Sequence, residues 1–481
     1  MLTPSRFKSI DPTHSHASAH PHAHDSTIAF TIQDKEGDEP STVTVSEITT
    51  RHFKRLAKSA SDYLGKKVDS VVITIPTNFS ESQKAALVKS AADAGLEVLQ
   101  LIHEPVASLL AYDARPEAKV SDKNVVVADL GGTRSDVAVI ASRGGMYTIL
   151  ATAHDYEFAG VHLDKVLQDH FAKEFIKWNT TDPREIPRSL AKLKLEAEAT
   201  KKALSIGTNA NFSIESLAEG IDFSSTINRL RYETIGRKVF DGFNRLIEGV
   251  VKKAGLDVLD IDEVILSGGT SHTPKVASNV TKIFPPTTTV LAPSTTPTAI
   301  NPSELQARGA ALQASLIQEY EKEDIEQSTH PAVTTVKHLT NAIGVLSISS
   351  DPAKGTFIPV ISAETAVPAR RTIHISTPKD GGDVLVKIVE GGSHIKVSQV
   401  TKGDREKDDD DSEEEDSDDE PEEQREKVWK VGKVLAEASL KGTKKGGKVE
   451  VMINVAGDLA VTVTAREVGG KGGVRGNLSA P

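Results

Sequence analysis

Residues 124–136 read Asn-Val-Val-Val-Ala-Asp-Leu-Gly-Gly-Thr-Arg-Ser-Asp. The β-branched run Val125, Val126 and Val127 has no alternating polar face, the pattern of a strand covered on both sides, and Gly131-Gly132 just after it mark a tight turn. Val137, Val139 and Ile140 predict a second strand beyond the turn, so that Asp129 and Asp136 converge on the mouth of the loop. Glycines there let backbone N–H groups approach a phosphate, and the flanking carboxylates suit a hydrated Mg²⁺ held through its waters. The stretch reads as a phosphate–metal site; taken alone, it also fits an ordinary hairpin with a polar tip.

Around this stretch lie 481 residues, 38% hydrophobic and 26% charged, a balance that allows about three soluble domains. No run of eighteen apolar residues and no apolar leader appears, so neither a membrane span nor a secretory signal is expected and the address defaults to the cytoplasm. The absence of cysteine excludes disulfides, thiolate zinc sites and thiol catalysis. The net charge of −11 is local: residues 408–423 carry thirteen carboxylates and no cation, and the rest of the chain is close to neutral. Such a block repels itself and is expected to stay disordered.

In chain order, residues 1–26, with His14, His16, His20, His22 and His24, read as a disordered tail. Ser46 is placed as the N-cap of a helix with Ile48, Phe53, Leu56, Ala57 and Leu64 inward, ending at Gly65. Strands are predicted over 71–75 and 97–102, and helices from Ser80 to Ala94 and from Glu104 to Tyr112. A second α/β portion is expected from about Met146, with helices over 160–178, 187–204 and 232–254 and a buried strand over 263–267. Alternating strands and helices argue for a mixed α/β sheet with ligands at the carboxyl ends of its strands, where both Glu104 and Asp129 fall. At that place Glu104 either orients a water, binds the metal shell or simply caps its helix. The second strand also runs into Gly268-Gly269, which suggests two related halves folded over one nucleotide.

Ile75-Pro76 with Asn78-Phe79, Glu104-Pro105, Asp129-Leu130-Gly131-Gly132, the run Gly268-Gly269-Thr270-Ser271-His272-Thr273-Pro274-Lys275, and Asn301-Pro302-Ser303-Glu304 follow one another as in the heat-shock protein 70 (DnaK-type) chaperones. The chain resembles that family well over 28–317 and more faintly over 333–467. The resemblance implies an actin-like (ribonuclease H-like) nucleotide-binding domain, here 27–322 and amino-terminally truncated. A linker at 323–340 then leads to a small β-sandwich at 341–467 without a helical lid, interrupted by the disordered acidic insertion 403–426 and followed by a flexible tail at 468–481. It further implies ATP or ADP as ligand, with Mg²⁺ held through water by Asp129 and Asp136. Glu104 would stand near the attacking water. Gly131, Gly132, Thr133, Arg134 and Gly160 would line the phosphates; Glu198, Lys201, Lys202 and Ser205 would flank adenosine; Gly268, Gly269 and Thr270 would meet the α-phosphate and sugar.

Departures from the family pattern matter as much. Where it reads Asp-Leu-Gly-Gly-Gly-Thr-Phe-Asp, this chain has Thr133, Arg134 and Ser135; Ala159, His103, Val106 and His272 also differ from it. Its first phosphate loop and catalytic lysine have no counterpart before Ile28, so Glu104, Asp129 and Asp136 are expected to be vestigial and hydrolysis is not expected. These features resemble a fungal-type branch, the chaperone-like subunit of the ribosome-associated complex, which pairs with the J-domain protein zuotin. That implies a co-chaperone acting with its J-partner and a second heat-shock protein 70 chaperone on nascent polypeptides, bound to the ribosome indirectly. An active ATP-driven foldase is the alternative, and a sugar or acetate kinase on the same fold is disfavoured by the sandwich. Ser412 and Ser417 read equally as kinase sites or as unmodified spacer, and Trp429 as core or as an edge where a partner adds a strand.

Overall fold

The computed structural model describes residues 19–24, 27–32, 39, 41–116, 118, 121–329, 336–347, 356–377, 380–400, 422–470 and 472–479. Two compact units are distinguished: residues 1–118 with 303–322, and residues 119–302 with 323–481.

In the first unit β1 (Ala19–His24), β2 (Thr27–Ile32) and β3 (Ser41–Thr44) form an antiparallel sheet. The disordered tail expected over 1–26 is corrected at its end, where Ala19 pairs with Ile32 and His24 with Thr27; His14 and His16 lie outside the described residues. Helix α1 (Val45–Leu64) is capped by Thr44, not Ser46: the Glu47 N–H donates to Thr44 Oγ1, and Gly65 ends the helix at φ +67°. Its apolar stripe is present but only partly covered, with Phe53 and Ala57 half-buried. No residue of α1 is fully buried, and Ile48, Leu56 and Leu64 are exposed, because a periodic pattern marks an apolar side without fixing how much surface meets it.

β4 (Ser70–Ile75) and β5 (Glu97–His103) pair in parallel, joined by α2 (Glu81–Asp93). A reciprocal capping box opens α2: the Gln83 N–H donates to Ser80 Oγ and the Ser80 N–H to Gln83 Oε1. α3 (Glu104–Asp113) leaves the carboxyl end of β5 with Pro105 in its first turn. The helix Leu305–Glu319 returns to pack on α3, and at Gly309 the two backbones come so close that any Cβ would run into the Ala107 carbonyl.

The second unit is built on a five-stranded mixed sheet. In chain order come β6 (Lys123–Leu130), β7 (Ser135–Arg143), β8 (Met146–Asp155), the hairpin β9 (Asn209–Ala218) and β10 (Ile221–Asn228), then β11 (Glu263–Ser267) and β12 (Thr289–Leu291). The sheet order is β12-β11-β6-β7-β8, parallel up to β6 and antiparallel beyond it. β8 thus continues the sheet that contains β6, and no boundary falls at Met146. Helices α4 (Gly160–Trp178), α5 (Pro187–Ile206), α6 (Arg229–Ile235), α7 (Arg237–Lys253) and α8 (Pro274–Ile283) accompany it. The single helix expected over 232–254 is two, parted at Gly236, where a Cβ would sit 3.0 Å from the Phe240 ring. Leu163, Leu167 and Phe171 of α4 join Val126, Leu130 and Val139 of the sheet in one core, with Phe171 stacked on Phe212 at 3.8 Å.

The same unit contains a β-sandwich: β13 (Ala342–Ser347), β14 (Thr356–Ile361), β15 (Ala369–Ser376), β16 (Gly382–Val400), β17 (Glu422–Thr443), β18 (Lys448–Val455), β19 (Val461–Glu467) and β20 (Gly473–Leu478). Its sheets run β14-β13-β16-β17 and β15-β18-β19-β20, burying Val386, Ile388, Val451 and Ile453 between them. Residues 384–389 and 394–400 belong to the single long strand β16, bulged near Gly391. Pro359 in β14 and the glycines of 473–478 in β20 lower strand propensity; both are edge strands, where such residues are tolerated. β20 corrects the flexible tail expected from 468, and β17 corrects the insertion expected to last to 426. Ser412, Ser417 and linker residues 333–335 lie outside the described residues.

Candidate functional site

Gly131 and Gly132 follow β6, and Gly268 and Gly269 follow β11. Since β6 and β11 are parallel neighbours, with Ser267 beside Asp129, both turns end adjacent strands of one sheet. The two related halves expected from the repeated Gly-Gly are thereby corrected: the repeat marks one strand-end platform, at the place where mixed α/β sheets bind ligands. Gly268 has φ +83°, and a Cβ there would fall 2.5 Å from Asp129 Oδ1, so only glycine fits.

Hydrogen bonds tie this platform to α4 and α5. Thr270 Oγ1 donates to the Gly131 carbonyl at 2.9 Å, and the Gly160 and Val161 N–H groups donate to Gly131 O and Gly132 O at 3.0 and 2.8 Å. Lys201 reaches from α5 to Gly160 O at 3.2 Å and pairs with Asp164 of α4 at 2.7 Å. Gly131, Gly132, Gly160, Lys201, Gly268 and Thr270 are thus gathered in one place. The other residues expected near adenosine stand on the same helix as Lys201. Glu198 and Lys202 pair with each other at 2.7 Å on the exposed side of α5, which holds the Glu198 carboxyl below its usual range and raises Lys202. Ser205 Oγ donates to the Lys201 carbonyl.

The carboxylates form a cross-strand row. Asp129 of β6 stands opposite Asp136 of β7, and Asp136 opposite His154 of β8, so all three side chains lie on one face of the sheet. Carboxylate oxygens of Asp129 and Asp136 come within 4.8 Å of each other. Like charges in directly opposed positions destabilise a sheet unless a cation intervenes. Here Arg134 intervenes, its Nε 2.5 Å from Asp136 Oδ2, while His154 Nδ1 meets Asp136 Oδ1. The Arg134 contact is an ion pair, not an aligned hydrogen bond. Asp136 Oδ2 is buried without a hydrogen-bond donor, and with Asp129 beside it the pair suits the hydrated Mg²⁺ that the resemblance implies, held through its waters.

Glu104 belongs to the first unit, in the first turn of α3. Before it, burial lowers the His103 imidazole pKa, aided by the nearby Lys84 charge and opposed by hydrogen bonds to the backbone at Ile75 and Pro76. Sequence reasoning missed two residues of the site. Asp164, raised by burial against the opposing pull of Lys201, lies one helical turn after Gly160, a spacing that was open to reading. His154 joins only through β-sheet register, which no local signal announces.

A comparison with protein families matches residues 11–403 to the family described as Hsp70 protein. The chain belongs to the Hsp70 family. Its actin-like nucleotide-binding fold accounts for the mixed sheet and its glycine platform. Among curated relatives, this Hsp70 chain is 44% identical over 457 residues to Ribosome-associated complex subunit SSZ1 of Saccharomyces cerevisiae, covering 94% of this chain and 82% of that protein. It is 40% identical over 472 residues to Heat shock protein 70 homolog C57A7.12 of Schizosaccharomyces pombe, covering 97% and 82%. With Heat shock 70 kDa protein 14-B of Xenopus laevis it shares 31% over 366 residues, 76% and 69% of the two chains. Among the described residues no helix is long and apolar enough to cross a membrane.

Proposed function

We propose that this Hsp70-family chain is the chaperone-like subunit of a ribosome-associated complex, holding adenine nucleotide with little or no turnover. It works in the cytoplasm with a zuotin-like J-domain partner and a second Hsp70 chaperone, assisting nascent polypeptides at the ribosome. The observation that carries this reading is the 44% identity, over 94% of the chain, to a protein named as a ribosome-associated complex subunit. Low turnover is supported by Arg134, which stands where the family pattern has threonine and whose guanidinium pairs with Asp136. Phosphoryl transfer is achieved almost wholly by positioning and charge stabilisation, so a committed carboxylate in the phosphate turn removes much of it.

Affinity purification of the chain from its own cells, followed by partner identification, tests the assignment. A J-domain protein and ribosomal material are expected, and recovery of neither overturns it. An active ATP-driven foldase is the second reading, favoured by the survival of Glu104, Asp129 and Asp136. Phosphate release by the purified chain, abolished in Asp129→Asn, decides for that alternative.

A further inference from the structure

We infer that Asp164 is a positioning residue of the nucleotide site, acting through Lys201 to fix the direction in which the backbone N–H groups of the Gly131–Gly132 turn point. The inference rests on the nucleotide-binding reading above and deepens it by naming what holds the phosphate turn in shape. Gly131 O and Gly132 O accept from the Gly160 and Val161 N–H groups at the start of α4, at 3.0 and 2.8 Å. In a planar trans peptide the N–H points opposite to the C=O, so the Gly132 and Thr133 N–H groups face away from α4, where they can meet an anion. The turn therefore keeps this shape only while the first turn of α4 stays in place. Their fit is close: a Cβ at Gly160 would stand 2.7 Å from Thr270 Oγ1 and 3.3 Å from Gly131 O. Lys201 is the brace. From α5 its ammonium reaches Gly160 O at 3.2 Å and Asp164 at 2.7 Å, two points one helical turn apart on α4. The side chains of the pair are only 13% and 12% exposed, so solvent screens their attraction only in part. Burial pushes the Asp164 carboxyl up, and the Lys201 charge is the largest pull the other way, so the lysine is what keeps the buried acid ionised. Glu198 of α5 is taken by Lys202 at 2.7 Å and does not compete. A neutral amide at position 164 would leave the ammonium without its counter-charge, freeing it from Gly160 and loosening the start of α4.

The test is calorimetric titration of the full chain with ATP and with ADP in magnesium, on the unaltered protein, Asp164→Asn, Lys201→Met and the double variant. Hydrogen exchange of residues 158–163 is followed on the same proteins without nucleotide. Asp164→Asn keeps the shape of the side chain and is expected to weaken both nucleotides about tenfold and to speed that exchange. Placed in Lys201→Met, the same substitution is expected to change either readout less than about twofold, since the lysine it acts through is already gone. An aspartate with a merely structural role would add its full loss a second time, and that outcome overturns the inference. So does Asp164→Asn binding both nucleotides within about twofold of the unaltered chain. If Lys201→Met binds too weakly to titrate, the exchange cycle decides by the same rule. Were Asp164→Asn not to fold, Lys201→Met is read alone: faster exchange supports the brace, and unchanged exchange overturns the inference. If the unaltered chain binds neither nucleotide, the nucleotide-binding reading itself fails and the inference with it.

Discussion

Arg143 Nε donates to the carbonyl oxygen of Ala363 at 2.9 Å, joining the mixed sheet to the sandwich across 220 positions of chain. The same guanidinium donates to Lys123 O at 2.8 Å, to Ser142 O at 2.9 Å and to Asn124 Oδ1 at 2.6 Å. Arg143 is buried, ends β7 and lies beside the start of β6, so this joint sits at the strand ends opposite the glycine platform. Arg143→Met would strand those acceptors at a cost of roughly 3 kcal/mol. Denaturant unfolding followed at Trp429 in the sandwich is expected to move to lower denaturant than unfolding of the sheet. If both parts still unfold together at the parental midpoint, Arg143 does not couple them.

Gly309 and Gly249 make a matched pair of helix glycines. A Cβ at 309 collides with the Ala107 backbone, whereas one at 249 in α7 meets nothing within 4 Å. Gly309→Ala is expected to destabilise by about 2 kcal/mol or more, through overpacking of one backbone on another. Gly249→Ala is expected to stabilise by about 0.5–1 kcal/mol, from helix propensity and a less flexible unfolded chain. Thermal unfolding of the two variants gives the signs, and equal shifts would deny the close approach.

His103 has a folded pKa below its ordinary 6.5, first because of burial and then because of Lys84. In the window between the lowered folded value and 6.5 the unfolded chain binds more protons than the folded one, so stability rises with pH across it. Acidification below 6.5 is therefore expected to destabilise the native chain more than His103→Asn. Parallel stability curves for the two proteins through that window would contradict the burial of His103.

Lys427 of β17 meets Asp260 at 2.8 Å, next to the Arg425–Asp257 pair at 2.5 Å. Both lysine and arginine are partly exposed, so a double-mutant cycle with Lys427→Met and Asp260→Asn is expected to give a coupling of only about 1 kcal/mol, falling with salt. A coupling that is insensitive to salt would point to a buried contact instead.

Residue order alone determined the local parts of this protein. The β-branched run before Gly131, the Ser80–Gln83 capping box, the helix over 160–178 and the strand over 263–267 were legible because each depends on neighbours a few residues apart. The ordered motifs likewise pointed to the Hsp70 family. Tertiary structure decided what meets what: that the two glycine turns end adjacent strands, that His154 and Arg134 contact Asp136, that the apolar stripe of α1 is only partly covered, and that β14 and β20 complete the sandwich as edges. Register and burial arise from contacts between residues tens to hundreds of positions apart, and no local pattern of side chains encodes which distant surface will arrive.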